Sequence, residues 1–312
     1  MKLSVLTTQY VAYKQDMGMR FHTEARTLRS FCRTMGDIDV VEVTVQSVLA
    51  FIAGPGPVTR FWHRKHEVLR GFYRFATARG YAATSPLPKI IPQAPQFVPH
   101  IFSHEELRRL LDTTASCCQS LRSKLQPDTL RMLILLLYGA GLRISEALSL
   151  TLADVDVPAR VLTIRESKFY KTRLVPIGPA LTQALETYIS RRAKEYPTQR
   201  DAALFLTRKA TPVTRHTAEN VFSRLRIRAG IILQGEGRYQ PRLHDLRHAF
   251  AIHRLVSWYR QGADVQRLLP HLATYLGHVH IVGTQRYLTM TPELLQEAGQ
   301  RFERYAREGQ HE

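Results

Sequence analysis

A cluster of prolines near residue 90 strongly constrains how this chain can fold. Five of them lie between Thr84 and Pro99, at positions 86, 88, 92, 95 and 99. Proline lacks a backbone N–H and disfavours helical geometry at the residue before it, so this stretch cannot form a regular helix. We predict an extended, fairly stiff connector. It separates an N-terminal domain at 1–90 from a C-terminal domain at 101–312, with residues 91–100 as the linker.

Positive charge is spread over both predicted domains. The chain has a formal net charge of +18, of which residues 1–100 carry +7 and the remainder +11. Two basic globular parts suggest a long polyanion that contacts both, and nucleic acid fits this better than a membrane surface. The alternative is an ordinary enzyme that happens to be basic. A hydrophobic content of 44% is typical of a folded protein rather than a disordered one.

The N-terminus and the cysteines indicate a protein of the reduced cytoplasm. The first residues lack the apolar core of a signal peptide, and no run approaches the ~20 apolar residues of a membrane helix. Three cysteines, two of them adjacent, match neither a disulfide framework nor a zinc-ligand spacing.

The N-terminal domain is predicted to be helical. Apolar residues recur at helical spacing, Thr44 is expected to cap a helix at 45–53, and the glycines and prolines at 54–57 end it. The next segment, 61–79, combines an apolar stripe with cations, so it can pack one face and offer charge from the other. A solvated surface face is the alternative. The nucleic-acid-binding candidates here are Arg64, Lys65, Arg70 and Arg74.

The C-terminal domain mixes helices with two strands. Ser103 begins a helix with a capping-box pattern, and 129–138 has an apolar helical face. The period then changes, because VLTI at 161–164 and RLVPI at 173–177 are typical of strands joined by a polar hairpin loop. Helices follow, and the last is an amphipathic segment at 293–305.

Three residues of this domain could bind and process a phosphate. Arg143 opens a helix after a glycine turn, where its guanidinium could grip two phosphate oxygens, although a surface pair with Glu146 is the simpler explanation. His244 and Arg247 share a helical face, which suits phosphate binding and proton transfer. Metal binding by His244 and His248 is the alternative, but the segment lacks the glutamate of an HExxH site and shows no obvious third ligand.

A lysine, a histidine and a tyrosine complete the candidate site. Lys168 lies in the hairpin loop, with Lys171 as a competitor for the same role and a further candidate for DNA contact. His278 stands nine positions before Tyr287. A phenol with its ordinary pKa of about 10 attacks a phosphate only where cations stabilise the developing charge, so we expect these side chains to gather around an accessible Tyr287 hydroxyl.

This ordered set resembles the tyrosine recombinase (phage integrase) family. The motifs are GLRISEAL, a lysine between two strands, HDLRH, and LGH with the tyrosine nine positions after its histidine. The match spans about residues 100–290, and the N-terminal part is similar to the family's core-binding domain in position and character. The resemblance implies a two-domain architecture, mainly α with a small β-hairpin or sheet (α+β), in which a helical DNA-binding domain precedes a mixed catalytic domain.

The resemblance also implies a mechanism. Tyr287 attacks a DNA phosphodiester and forms a 3′-phosphotyrosyl link, which frees a 5′-hydroxyl. Arg143 and Arg247 hold the non-bridging oxygens, and Lys168 protonates the leaving oxygen. No metal or other cofactor is expected, because the covalent link conserves the phosphodiester energy. The glycine-rich turn common around the family's lysine is replaced here by 167–170, so Lys171 stays open as the general acid.

The implied partners are double-stranded DNA and further recombinase protomers. His244 and His278 would assist by hydrogen bonding and proton handling. Four protomers, with or without other recombinases among them, would exchange strands. The expected function is integration, excision or transposition of a mobile element. The alternative is a DNA-binding accessory protein without catalytic activity.

Overall fold

The computed structural model describes residues 1–54, 58–93, 98–118, 123–165, 172–234, 240–278, 280–289, 294–300 and 303. It contains two compact units, Met1–Phe97 and Val98–Glu312. The described residues from 81 to 93, which carry the first three prolines of the cluster, form neither helix nor strand. No helix in this described part is both long and apolar enough to cross a lipid bilayer.

The first unit is helical. Its helices are α1 (Leu3–Asp16), α2 (His22–Met35), α3 (Val45–Ala53) and α4 (Arg60–Ala78). Large side chains of α2 and α4, among them Phe31 and Tyr73, are fully buried in a common core. The Thr44 hydroxyl accepts the Ser47 amide at 3.2 Å, which is the cap that the sequence predicts for α3.

The second unit places helices around a small sheet. The helices are α5 (His104–Cys118), α6 (Pro127–Gly139), α7 (Ile144–Ser149), α8 (Pro179–Arg192), α9 (Arg215–Arg228), α10 (Leu243–Arg260), α11 (Val265–Leu276) and α12 (Val282–Gln285). Residues 294–300 are also helical, within the segment predicted at 293–305. The strands β1 (Val155–Asp156), β2 (Val161–Ile164) and β3 (Arg173–Pro176) pair antiparallel in the order β1-β2-β3.

Local sequence explains where these elements begin. Glu106 accepts the Ser103 amide at 2.8 Å while its own amide donates to the Ser103 hydroxyl at 3.1 Å, so the predicted capping box starts α5. Helix α6 starts with Pro127 at its first turn and is buried over most of its surface. The prediction of a mainly helical protein with a small antiparallel sheet is confirmed. The short strand β1 was not predicted, since two residues carry too little pattern to detect.

Candidate active site

A buried carboxylate organises the start of α7. Arg143 is the N-cap, and the Glu146 side chain accepts both its backbone amide at 2.9 Å and its Nη1 at 2.6 Å. Arg173, the first residue of β3, donates Nη1 and Nη2 to the two Glu146 oxygens, each at 2.9 Å. Glu146 is only 5% exposed. It therefore holds Arg143 in one orientation and ties the hairpin strand to α7.

The same cations set the protonation of Glu146. Burial alone would raise its pKa, but the hydrogen bonds and charge of Arg173, together with Arg143, outweigh burial and lower the pKa to about 2. The unfolded chain has the ordinary value of 4.5. Because the folded-state pKa is the lower one, Glu146 stabilises the fold above about pH 4.5, and this contribution is lost as the pH falls towards 2.

We expect Glu146→Gln to reduce the free energy of unfolding of the second unit by about 3 kcal/mol near pH 7, and by much less near pH 3. The reason is that the wild-type carboxylate loses its ionic advantage as it becomes protonated. Urea unfolding at both pH values measures the difference. Glu105→Gln is the matched control, because Glu105 pairs with Arg108 at 60% exposure. An equal loss at both pH values would show that the carboxylate charge is not what stabilises the site.

Arg247 is a fully buried cation on α10, with 1% exposure. Its Nη1 donates to the Gly141 carbonyl at 2.7 Å and its Nη2 to the Leu276 carbonyl at 2.5 Å. Burial, and next the charge of Arg143, lower its pKa to about 10, so it stays protonated at neutral pH. Arg247 thus joins the turn before α7 to the end of α11.

The turn after α11 brings His278 close to Arg143 and Arg247. Gly277 has φ +65°, and a Cβ there would lie 2.9 Å from Arg173 Nη1, so both the backbone and the space require glycine. The Gly277 carbonyl accepts Arg143 Nη2 at 2.8 Å. His278 Nε2 lies 3.2 Å from Arg247 Nη2, and its Nδ1 lies 2.7 Å from the buried Thr284 hydroxyl.

These contacts determine the tautomer of His278. A guanidinium only donates, so Nε2 must accept from Arg247 and the ring proton sits on Nδ1, where it donates to Thr284. Burial, and then the charges of Arg247 and Arg143, lower the His278 pKa to about 4, which keeps the ring neutral. In this tautomer Nε2 presents a lone pair, so the ring can donate to a phosphate oxygen there only after Nε2 gains a proton.

Tyr287 lies beside these groups but is covered. It follows α12 in a short 3-10 turn, Arg286–Thr289, and is 3% exposed. Its hydroxyl is 3.2 Å from His248 Nδ1, and its ring stacks on His278 with centroids 6.2 Å apart. Burial raises the pKa of Tyr287, while the charge of Arg247 opposes this rise. The sequence-based expectation of an accessible hydroxyl is wrong for this conformation. A phosphate can reach the hydroxyl only if the residues that bury Tyr287 move.

The predicted catalytic residues fall into three groups. Arg143, Arg247, His278 and Tyr287 come together at one place. His244 is exposed at the edge, with its ring against that of His248 at 4.7 Å between centroids. Lys168 and Lys171 lie outside the described residues, in the stretch that joins β2 to β3.

Three contributors were missed from the sequence. Arg173 was considered only as part of a strand, although it lies two positions before the buried Val175 and therefore on the same face of the strand, where an arginine needs an ionic partner. His248 was considered only as a metal ligand. Thr284 is completely buried against His278, and no pattern in its own short helix indicates that.

The four candidates on α4 differ in what their charges contact. Arg64 pairs with Glu24 at 3.3 Å and Arg70 with Glu67 at 2.6 Å, and both arginines stay at least half exposed. Arg74 is exposed. The Lys65 ammonium instead turns inward, where it donates to the Phe51 carbonyl at 2.6 Å and lies over the ring of Phe51. Lys65 is therefore the least available of the four for a polyanion.

The alternative of a metal site at His244 and His248 concerns side chains that the structure describes. In the ranges given above, no three His, Cys, Asp or Glu side chains are grouped so that they could hold a metal ion. His244 and His248 contact each other edge to face, and His248 points its Nδ1 at Tyr287.

Comparison with known proteins places these features in a family. Residues 100–293 match the phage integrase family. The chain is 36% identical over 301 residues to a putative integrase/recombinase, y4rB, of Sinorhizobium fredii, covering 95% of each chain. It is 34% identical to the tyrosine recombinase XerD of Corynebacterium glutamicum, over 74% of this chain and 70% of that one.

A solved structure shares the fold. The Tn1549 transposon integrase, in complex with transposon right end DNA, superposes with a TM-score of 0.73 at 17% identity. The superposition covers 98% of this chain and all of that one. The family match over most of the chain, together with the near-complete alignment to an integrase/recombinase, shows that this protein belongs to the phage integrase family and is a tyrosine-type site-specific DNA recombinase.

Proposed function

We propose that Tyr287 is the nucleophile that cuts DNA and forms the 3′-phosphotyrosyl link, with a 5′-hydroxyl as the leaving group. The observation that carries this proposal is the convergence of Arg143, Arg247 and His278 beside the phenol. Residues 143 and 247 come from different helices, yet both donate to the turn that precedes His278. Such a fixed cluster of donors stabilises charge that develops on a phosphate without reorganising at the moment of reaction.

Arg143 retains N–H groups that can donate to the phosphate of the substrate. An arginine has five N–H groups. The hydrogen bonds described above use two from Arg143, to Glu146 and Gly277. Arg143 also keeps 22% of its side chain exposed, whereas Arg247 is buried, with 1% exposure. We assign Arg143 the outer non-bridging oxygen of the scissile phosphate and Arg247 the inner one.

We assign the leaving-group proton to Lys168, with Lys171 as the alternative. Support comes from the base of the hairpin, because Arg173 at the start of β3 donates to Glu146 in the site. A lysine that precedes such an anchored strand by only a few residues along the chain can act on the 5′ oxygen. The exposed His244, and His278 once its Nε2 carries a proton, complete the set as hydrogen-bonding partners of the phosphate.

The same proposal extends to the roles of the two domains and to the assembly of protomers on DNA. The first unit would act as the core-binding domain on DNA, with residues 91–100 as the linker to a catalytic domain at 101–312. Four protomers, with or without partner recombinases among them, would exchange strands in the cytoplasm to integrate, excise or transpose a mobile element. Two solved structures support these parts of the proposal: a lambda integrase tetramer bound to a Holliday junction, and the Tn1549 transposon integrase in complex with transposon right end DNA.

A covalent-adduct assay tests the proposed activity. The wild-type protein is incubated with duplex DNA from the ends of its element, nicked just beyond the scissile phosphate so that the short 5′-hydroxyl fragment diffuses away. We expect a DNA adduct that survives denaturation and leaves a free 5′-hydroxyl. An adduct joined to the 5′-phosphate end of the break, or none on any element end that the protein binds, contradicts the proposal.

The salt dependence of DNA binding tests the role of α4. We expect the affinity to fall with a log–log slope near −0.9 for each phosphate neutralised. Arg74→Ala should reduce the magnitude of that slope by about 0.9, the value for one phosphate, because Arg74 is exposed. Lys65→Ala should leave the slope unchanged, because the Lys65 ammonium donates to a backbone carbonyl. Fluorescence anisotropy titrations over a range of salt measure both. If Lys65→Ala reduces the slope as much as Arg74→Ala, the inward contact of Lys65 does not persist on DNA.

A further inference from the structure

His248 is the one imidazole hydrogen-bonded to the Tyr287 hydroxyl among the described contacts, at 3.2 Å through Nδ1. It lies on α10, next to Arg247 and one turn after His244. We propose that His248 is a catalytic residue, the general base that removes the phenol proton of Tyr287 as its oxygen attacks the scissile phosphate. This inference rests on the proposed function above, since it names the proton acceptor for the same nucleophile.

The charge of Arg247 favours one direction for this hydrogen bond. A guanidinium near the phenol opposes the effect of burial on the pKa of Tyr287, which favours release of the phenol proton. The described acceptor for that proton is His248 Nδ1. Nδ1 must carry a lone pair to receive it, which puts the ring proton on Nε2. The pair is aligned for transfer from oxygen to nitrogen.

The surroundings keep His248 neutral until substrate arrives. Burial is the largest cause, and with the charges of Arg242, Arg247 and Arg286 it lowers the His248 pKa to about 4. The lone pair is therefore free at neutral pH. A phosphate held by Arg143 and Arg247 brings negative charge that offsets these cations, so the proton affinity of the imidazole rises as the attack begins. His244, on the same helix face, contacts its ring.

The proton and electron balance of the step is complete. The Tyr287 O–H bond breaks and an N–H bond forms at His248 Nδ1, while the phenol oxygen bonds to phosphorus. The bond from phosphorus to the 5′ oxygen breaks, and that oxygen takes its electron pair and a proton from the general acid, assigned above to Lys168. In the rejoining step the incoming 5′-hydroxyl loses its proton to that group, and the His248 imidazolium protonates the departing phenol.

The other two histidines are less suited to this role. His278 uses Nε2 to accept from Arg247 and Nδ1 to donate to Thr284, so neither nitrogen is directed at the phenol. Its ring stacks on that of Tyr287 instead. His244 is exposed and contacts the ring of His248 rather than the hydroxyl.

The test compares His248→Asn with His253→Asn in single-turnover cleavage of nicked DNA, at saturating protein. Asparagine can still accept the phenol hydrogen bond but cannot take up the proton. His253 is a matched control on the same helix, since its Nδ1 lies 2.9 Å from the Tyr138 hydroxyl and burial likewise lowers its pKa to about 4. We expect His248→Asn to slow adduct formation by about 10²-fold and His253→Asn to leave the rate within about 3-fold of wild type.

Two chemical rescues separate a base from a merely structural residue. Fluorotyrosine at position 287 has a more acidic phenol, so it should recover at least about 10-fold of the His248→Asn loss while changing the His248 enzyme little. A 5′-bridging phosphorothiolate needs no leaving-group proton. It should accelerate a Lys168 variant and leave the His248→Asn deficit in place.

Each outcome decides between the possibilities. Wild-type cleavage with an unimpaired His248→Asn variant overturns the inference and leaves the proposed function intact. A slow variant that fluorotyrosine does not rescue, or that the phosphorothiolate restores, also overturns it. Failure of the wild type to form any adduct overturns the proposed function itself. If asparagine impairs folding, the fluorotyrosine series in the His248 enzyme still decides, since a steep gain in rate with phenol acidity is incompatible with an effective base.

Discussion

Tyr287→Phe is expected to abolish covalent protein–DNA adducts, with a fall of at least about 10⁴-fold in single-turnover cleavage and little change in DNA affinity. The phenol oxygen is the atom that would join phosphorus, and phenylalanine keeps the buried ring that stacks on His278. Denaturing gels of the nicked-substrate reaction measure the adduct, and anisotropy measures binding.

Tyr138→Phe is the matched control for this prediction. Tyr138 also directs its hydroxyl at a histidine of α10, with His253 Nδ1 at 2.9 Å, but it belongs to α6 and lies outside the cluster around Glu146. It should form adducts at nearly the wild-type rate. Persistent adducts in Tyr287→Phe would mean that another side chain is the nucleophile.

Arg143→Ala is expected to reduce the cleavage rate by about 10³-fold or more and to change DNA affinity much less. Its guanidinium would stabilise charge that appears on the phosphate mainly in the transition state. Replacing a non-bridging oxygen of the scissile phosphate by a neutral methyl group removes much of that charge, so the penalty of Arg143→Ala should shrink on such a substrate. A penalty that is the same on both substrates would contradict direct contact with that oxygen.

Two further variants support the interpretation of Arg143→Ala. Arg165→Ala is the control, because Arg165 also pairs with an acidic residue, Asp154, but is 63% exposed. It should have nearly normal activity. Arg247→Ala is a poorer test of catalysis, since Arg247 is buried and donates to two backbone carbonyls. Its loss would leave those carbonyls unpaired and destabilise the fold by about 3–5 kcal/mol.

The elements that sequence predicted best have their causes close together along the chain. Thr44 caps α3 through Ser47, and the Ser103 capping box starts α5 through Glu106. In each case the partners are three residues apart, so the pattern is visible in a short window. Strands β2 and β3 were detected for the same reason, from alternation over four or five residues.

The sequence by itself determined the helical and strand segments and the ordered motifs by which the family is identified, because these depend on neighbours within a few positions. The tertiary structure alone decided that His248 faces Tyr287, 39 positions away, and that Arg173 neutralises Glu146, 27 positions away. It also decided that the Lys65 ammonium donates to the Phe51 carbonyl and that the Tyr287 side chain is buried. The physical reason is that side-chain direction and burial follow from packing between distant segments, which local periodicity does not record.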